Sequence, residues 1–257
     1  MPAVISNNKM TSAVALIAGS FLAVSVASAD TQIPDLTFDI QAGGQGNSFL
    51  SSEFGSSWSN PNGTYSYDGS QEFGGFDFGW NVLAGAGDFP ASVIANFVVT
   101  NNSGADQTFS ITVNSAPLAT PGGVDLASTL IGGSVTGSVT DLNGDGASLS
   151  AVSPDGSLYS ALFNTDTVAT LGDDPFSASA GVFESNTVGP EEFGSPIPSA
   201  VGPAFANGDS IGITLEFVLS AGDSASFTSV FVVDVPAPAG LALLGVAGVV
   251  SRRRRRA

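Results

Sequence analysis

Cysteine and histidine are both absent from this chain of 257 residues. Without cysteine there are no disulfides and no thiolate metal sites, so the fold must rest on packing alone. Without histidine the commonest general base and the commonest transition-metal ligand are missing. The many serines then have no histidine, cysteine or nearby lysine to activate them, which excludes triad and dyad nucleophiles. Two carboxylates could still run glycoside hydrolysis, but 23 acidic residues give no ground for choosing a pair. No enzyme activity is expected.

Positive charge is nearly as scarce. The six basic residues are Lys9 and Arg252 to Arg256, whereas all 23 acidic residues lie from Asp30 to Asp234. The stretch between is therefore anionic and holds no cation, which excludes side-chain salt bridges within it. Nucleic acid is excluded as a partner, because phosphate binding needs Lys or Arg to displace counterions. Every carboxylate must be solvated, hydrogen-bonded or bound to a cation from solution. Mutual repulsion makes a salty or calcium-containing medium favourable.

Long hydrophobic runs are also missing. Residues 13–26 (AVALIAGSFLAVSV) form an apolar run of 14 residues, short of the roughly 20 that span a bilayer. Lys9 precedes it, and Ala27-Ser28-Ala29 follows as a small-residue cleavage site. Residues 1–29 thus have the pattern of a secretory signal helix, with the mature start at Asp30. The partners this implies are the secretion translocon and signal peptidase.

Gly, Ser, Thr, Asn and Asp are abundant in residues 30–233, and no window shows clean helical periodicity. Val93, Ala95, Phe97 and Val99 alternate with mostly polar residues, as do Phe109, Ile111 and Val113 beyond an Asn-Ser-Gly turn. Ile211 to Leu219 and Phe227 to Val233 repeat the pattern around Ala221-Gly222-Asp223. Both pairs are expected to be hairpins. Weaker strand signals lie near residues 36–40, 75–83, 133–140, 148–153 and 157–163. Turn spacing predicts roughly ten strands in an all-β antiparallel sandwich, jelly-roll-like. Residues 172–206, with Pro175, Pro190, Pro196, Pro198 and Pro203, are expected to form an irregular insertion, because proline cannot donate to a ladder.

The last 24 residues (234–257) have three parts in order. Val235-Pro236-Ala237-Pro238 is a stiff, extended motif. Residues 239–250 are a short apolar helix-former, expected to be a short transmembrane helix. Arg252, Arg253, Arg254, Arg255 and Arg256 are a block that stays on the cytoplasmic side as a membrane stop signal. Motif, helix and arginine cluster together resemble the PEP-CTERM sorting signal, with Ala237 where that family usually has glutamate. The resemblance implies cleavage by an exosortase-like enzyme and transient tethering in the inner membrane. It further implies display at the cell surface, outer membrane or extracellular matrix, with exopolysaccharide as an associate.

Two groups of residues are candidate binding sites. Asp141, Asn143 and Asp145, followed by Gly146, match the first half of a calcium loop, whose alternate residues point at one centre. Position 12 is Val152 rather than the usual Glu, with Asp155 nearby. A plain hairpin turn explains the same residues. Trp58 and Trp80, with Tyr65 and Tyr67, lie in a Gly/Ser/Asn-rich region and are candidate carbohydrate-binding platforms; packing in the core is the other reading. A surface or matrix structural protein and a carbohydrate-binding module are therefore the two functions expected.

Overall fold

Alternating apolar and polar residues dictate strands. The computed structural model, which describes residues 33–85, 89–152, 156–172 and 176–235, is antiparallel β-structure almost throughout. The first strands are β1 (Thr37–Ala42), β2 (Gln45–Leu50), β3 (Gly55–Ser59), β4 (Thr64–Glu72) and β5 (Phe76–Gly85). Next come β6 (Ala91–Asn101), β7 (Gln107–Asn114), β8 (Thr129–Thr140), β9 (Ala147–Ala151), β10 (Tyr159–Phe163) and β11 (Asp166–Leu171). The last are β12 (Ser177–Ala180), β13 (Ser185–Phe193), β14 (Ala200–Gly202), β15 (Ile211–Leu219) and β16 (Ser224–Asp234). The signal helix, the sorting motif beyond Val235 and the arginine block lie outside the described residues. No helix among the described residues is long and apolar enough to cross a membrane.

The strands form two sheets packed as a sandwich. One runs β11-β10-β15-β7-β1-β2, with β9 also paired to β15 and β12 to β9. The other runs β13-β8-β16-β6-β5-β4-β3, with β14 on β8. Inward residues of β1, β7 and β15 meet those of β5, β6 and β16, and phenylalanine dominates the join. Phe38 lies 6.5 Å from Phe97 and 6.1 Å from Phe78, Phe76 lies 5.4 Å from Phe109, and Phe217 lies 5.0 Å from Phe227. Each such ring, taken fully out of water, contributes about 2–3 kcal/mol. This core does the work that disulfides do in many exported domains.

Neither expected hairpin forms. The alternation is correct, since Val93, Phe97, Phe109, Ile111, Leu215 and Phe231 are all buried. But β6 and β7 belong to different sheets, as do β15 and β16. Their connecting loops step across the sandwich. A strand that buries one face shows the same period of two whichever sheet its neighbour joins, so periodicity could not separate the cases.

The proline-rich stretch is more regular than its composition predicts, because β12, β13 and β14 occupy it. β13 is the outer strand beside β8, and its register shifts between Val188 and Glu191, around Pro190. An edge position and a bulge are where a sheet tolerates proline. Pro196, Pro198 and Pro203 fall outside the strands.

Candidate metal centre

Four connections cross between the sheets side by side: residues 102–106, 141–146, 181–184 and 220–223. Pairing places them at one end of the sandwich, since Ser224 is opposite both Thr100 and Thr140, and Thr140 is opposite Ser185. Backbone groups here lose the ladder, so side chains must satisfy them. Three buried polar residues do so: Asn101, Asp141 and Asp223.

Asp141 organises its own loop. One carboxylate oxygen accepts the N–H of Asn143 (3.2 Å) and Gly144 (2.9 Å), and the other accepts the N–H of Phe183 (2.6 Å). Gly144 has φ 90°, a conformation that suits glycine, and the Phe183 ring lies where a Cβ would be. Asp223 accepts the Leu142 N–H at 3.3 Å and the Ser220 hydroxyl. Asn101 donates to the carbonyls of Ala105 (2.9 Å), Leu219 (3.0 Å) and Ser220 (3.0 Å).

Carboxylate oxygens of Asp141, Asp145 and Asp223 all lie within 4.8 Å of one another. At calcium–oxygen distances of about 2.4 Å, such a set can touch one ion. An all-oxygen donor set suits a hard cation such as calcium or magnesium. Two of the three residues predicted from the sequence are in this group. Beside them, the Asn143 amide nitrogen donates to the Ala221 carbonyl (2.8 Å) and its oxygen accepts the Asp145 N–H (3.0 Å). The third carboxylate comes from Asp223, 78 residues beyond Asp145 in the chain. No local signal marks it, because it is brought in by the crossing of β15 to β16. Val152 supplies no oxygen ligand, and Asp155 lies outside the described residues.

The two buried carboxyls shift in opposite directions. Burial pushes Asp141 up, but the N–H groups of Phe183, Gly144, Gly146 and Asn143 outweigh it and hold the carboxyl below the usual range. Burial pushes Asp223 up and the Asp141 charge adds to that, while hydrogen bonds from Ser220 and Leu142 oppose both. A raised folded-state pKa costs stability at neutral pH. That cost is relieved as the pH falls through it toward the ordinary value of about 3.9. The Asp141 contribution has the other sign: it is present above the ordinary value and lost as the pH falls through its depressed folded-state pKa. With a chelator present, Asp223→Asn is expected to melt above wild type at pH 7, with the gap narrowing as the pH approaches about 4. Thermal melts across pH measure this; a gap that does not change with pH contradicts it.

The two tryptophans part company. Trp58 stands on the outer strand β3 and is 45% exposed. Trp80 is buried, 5.1 Å from Phe38, 5.3 Å from Phe49 and 5.4 Å from Phe78. Its ring covers Gly69, directly opposite on β4. Neither face of Trp80 is open to a sugar, so the two do not form a joint platform. Tyr67 is buried as well, its hydroxyl donating to the Pro34 carbonyl at 2.6 Å. In comparisons with protein-family models, curated proteins and solved structures, the chain matches none of them.

Proposed function

We propose that the chain is an exported structural protein of the cell surface or extracellular matrix, routed by a cleaved signal peptide and a PEP-CTERM-like tail, with no catalytic role. The observation that carries this reading is the tail, with Val235-Pro236-Ala237-Pro238, a short apolar run and Arg252 to Arg256 in order. The way the body meets the tail supports it. β16 runs to Asp234 at the motif and is paired along its length to β6 and to β8. A pull on the tail therefore loads two ladders of hydrogen bonds in shear, which suits a tethered protein.

We further propose that the sandwich is jelly-roll-like, a reading supported by the repeated crossing of the chain from sheet to sheet. The translocon, signal peptidase and an exosortase-like enzyme are its processing partners, and the inner membrane holds it only until the tail is cut. Calcium is proposed as an accessory clamp on Asp141, Asp145 and Asp223. The chelated melts, repeated in millimolar calcium, decide this point. A Tm gain that Asp145→Asn removes supports the ion, and an unchanged Tm leaves residues 141–146 a turn. The alternative of a carbohydrate-binding module working through Trp58 and Trp80 lacks one of its two platforms, since Trp80 is in the core.

Mass spectrometry of the native protein tests the main reading. The expected product begins at Asp30, ends near residues 235–238 and carries added mass at its new C-terminus. A full-length chain ending in Ala257 and free in the periplasm overturns it.

A further inference from the structure

Six strands lie at sheet margins among the described residues, and four of them carry a feature that stops a further strand from adding. β13 has Pro190, Glu191, Glu192 and a register shift. β11 has Asp166 and a shift that leaves Val168 without a partner on β10. β12 and β14 are only four and three residues long. Proline, charge, bulges and short length are the usual ways of blocking an open edge. Glu191 also accepts the Gly172 N–H at 2.7 Å, which ties β13 to the end of β11 and closes that side of the sandwich.

β2 and β3 have none of these features. They end the two sheets on the same side, since only residues 51–54 separate them and the Phe49 ring meets that of Phe54 at 5.2 Å. Their registers on β1 and β4 run without a break, and neither strand contains proline or a charged residue. Glu53 is the single acid between Asp39 and Asp68. It takes the N–H and C=O of Leu50 at the turn; the other outward backbone groups of the two strands meet no strand among the described residues. Three large apolar side chains wrap around this margin. Leu50 (41% exposed) follows inward Phe49, so it stands on the outer face of one sheet. Trp58 (45% exposed) is opposite Ser66, beside inward Tyr67, and stands on the outer face of the other. Phe54 (41% exposed) is in the turn between them.

We propose that this margin joins two copies of the chain, β2 to β2 and β3 to β3, antiparallel about a two-fold axis perpendicular to the sheets. One such axis continues both sheets at once, because it returns each sheet to its own plane and reverses the strand direction. Pairing centred on Ser57 sets Trp58 opposite Ser56 of the other copy and diagonal to its Trp58, within reach of an aromatic side chain. Charge selects a second copy as the occupant. A cationic partner would be drawn to the acidic faces, whereas two bodies that each hold acids from Asp30 to Asp234 and no cation repel one another. They can come close along a margin whose strands carry no acid. Six residues of β2 and five of β3 take part in each copy, fewer than the roughly 20–30 a side of a stable interface. The dimer is therefore reversible, with a Kd on the order of 10–100 µM.

Sedimentation equilibrium of the purified protein, from about 5 to about 500 µM, tests this. A monomer–dimer equilibrium is expected. It should tighten as NaCl rises from about 0.02 to about 0.5 M, because salt screens the repulsion between like-charged bodies. Trp58→Glu and Leu50→Glu each set a charge against its own copy at the seam and should weaken the dimer about tenfold or more. Both should melt near wild type, since neither side chain is in the core. Val98→Glu adds the same charge on the central strand β6, at a residue 48% exposed, and should dimerise as wild type does. The proposal is overturned if the protein stays monomeric over the whole range at the higher salt, or if association runs on past the dimer. It is equally overturned if Trp58→Glu and Leu50→Glu dimerise as well as Val98→Glu. The margin owes nothing to the tail, so the dimer and the sorting route stand or fall separately.

Discussion

Replacing Asn101 with alanine is expected to cost about 3–5 kcal/mol and to lower the Tm by about 10 °C. Its amide is the donor for three carbonyls from two crossing loops, those of Ala105, Leu219 and Ser220. Its side-chain oxygen also accepts the N–H (3.0 Å) and hydroxyl (2.7 Å) of Ser103. The backbone joins the same loops, with the Asn101 N–H donating to the Asp223 carbonyl and the Gly222 N–H donating to Asn101, both at 2.8 Å. Truncation spares those backbone bonds and removes the side-chain ones. The Ala105 carbonyl is on an exposed residue and keeps the Ser103 hydroxyl as a donor at 2.7 Å. The Leu219 carbonyl is buried, and a buried carbonyl left without a donor costs about 1–3 kcal/mol. Asn102→Ala, one residue on and exposed, should change stability by no more than about 0.5 kcal/mol. Urea unfolding of both variants gives the comparison. A loss under about 1 kcal/mol for Asn101→Ala shows that water replaces the amide, and the clamp is then not needed.

The second large effect is in the core. Phe38→Ala should cost about 4 kcal/mol, near the middle of the range for a buried phenylalanine. Phe38 is fully buried and its ring meets Phe49 (5.2 Å), Phe78, Trp80 and Phe97, three of which come from the opposite sheet. Large rigid rings on all sides cannot close over the cavity, so the lost transfer energy and the cavity term add. Trp58→Ala removes a larger side chain from the edge strand, yet should stay within about 0.5 kcal/mol. Size therefore does not rank the two; packing does. A Trp58→Ala loss that matches that of Phe38→Ala contradicts this account.

Much of the strand structure was legible before any fold was known. β1, β5, β8, β9, β10 and the four strongly alternating strands fall where the alternation places them, because burying one face of a strand imposes a period of two. Some of the strands that the alternation did not mark share a different chemistry. β3 (GSSWS), β12 (SASA) and most of β13 lie at sheet margins and bury little, so they need no apolar alternation and leave no such trace. Of the prolines in residues 172–206, Pro190 marked an edge and a bulge, while Pro196, Pro198 and Pro203 lie outside the strands as an irregular stretch would have them.

The candidate site divides in the same way. Asp141 and Asp145 were visible because an Asp-x-Asn-x-Asp-Gly run bends locally, and the Asx hydrogen bonds depend on near neighbours alone. Asn143 was visible for the same reason, and its amide nitrogen also ties the run to the Ala221 carbonyl of another loop. Asp223 and Asn101 gave no local sign.

By itself the sequence determined the chemistry that is missing, the acidic and cation-free body, the apolar faces of the main strands, and the three-part tail. Composition and near-neighbour geometry are sufficient for all of these. Only the tertiary structure decided that the two expected hairpins cross between sheets, that Trp80 lies in the core while Trp58 does not, and that Asp223 joins Asp141 and Asp145. Each of those depends on which strands pair over long separations, and a period of two is blind to the partner.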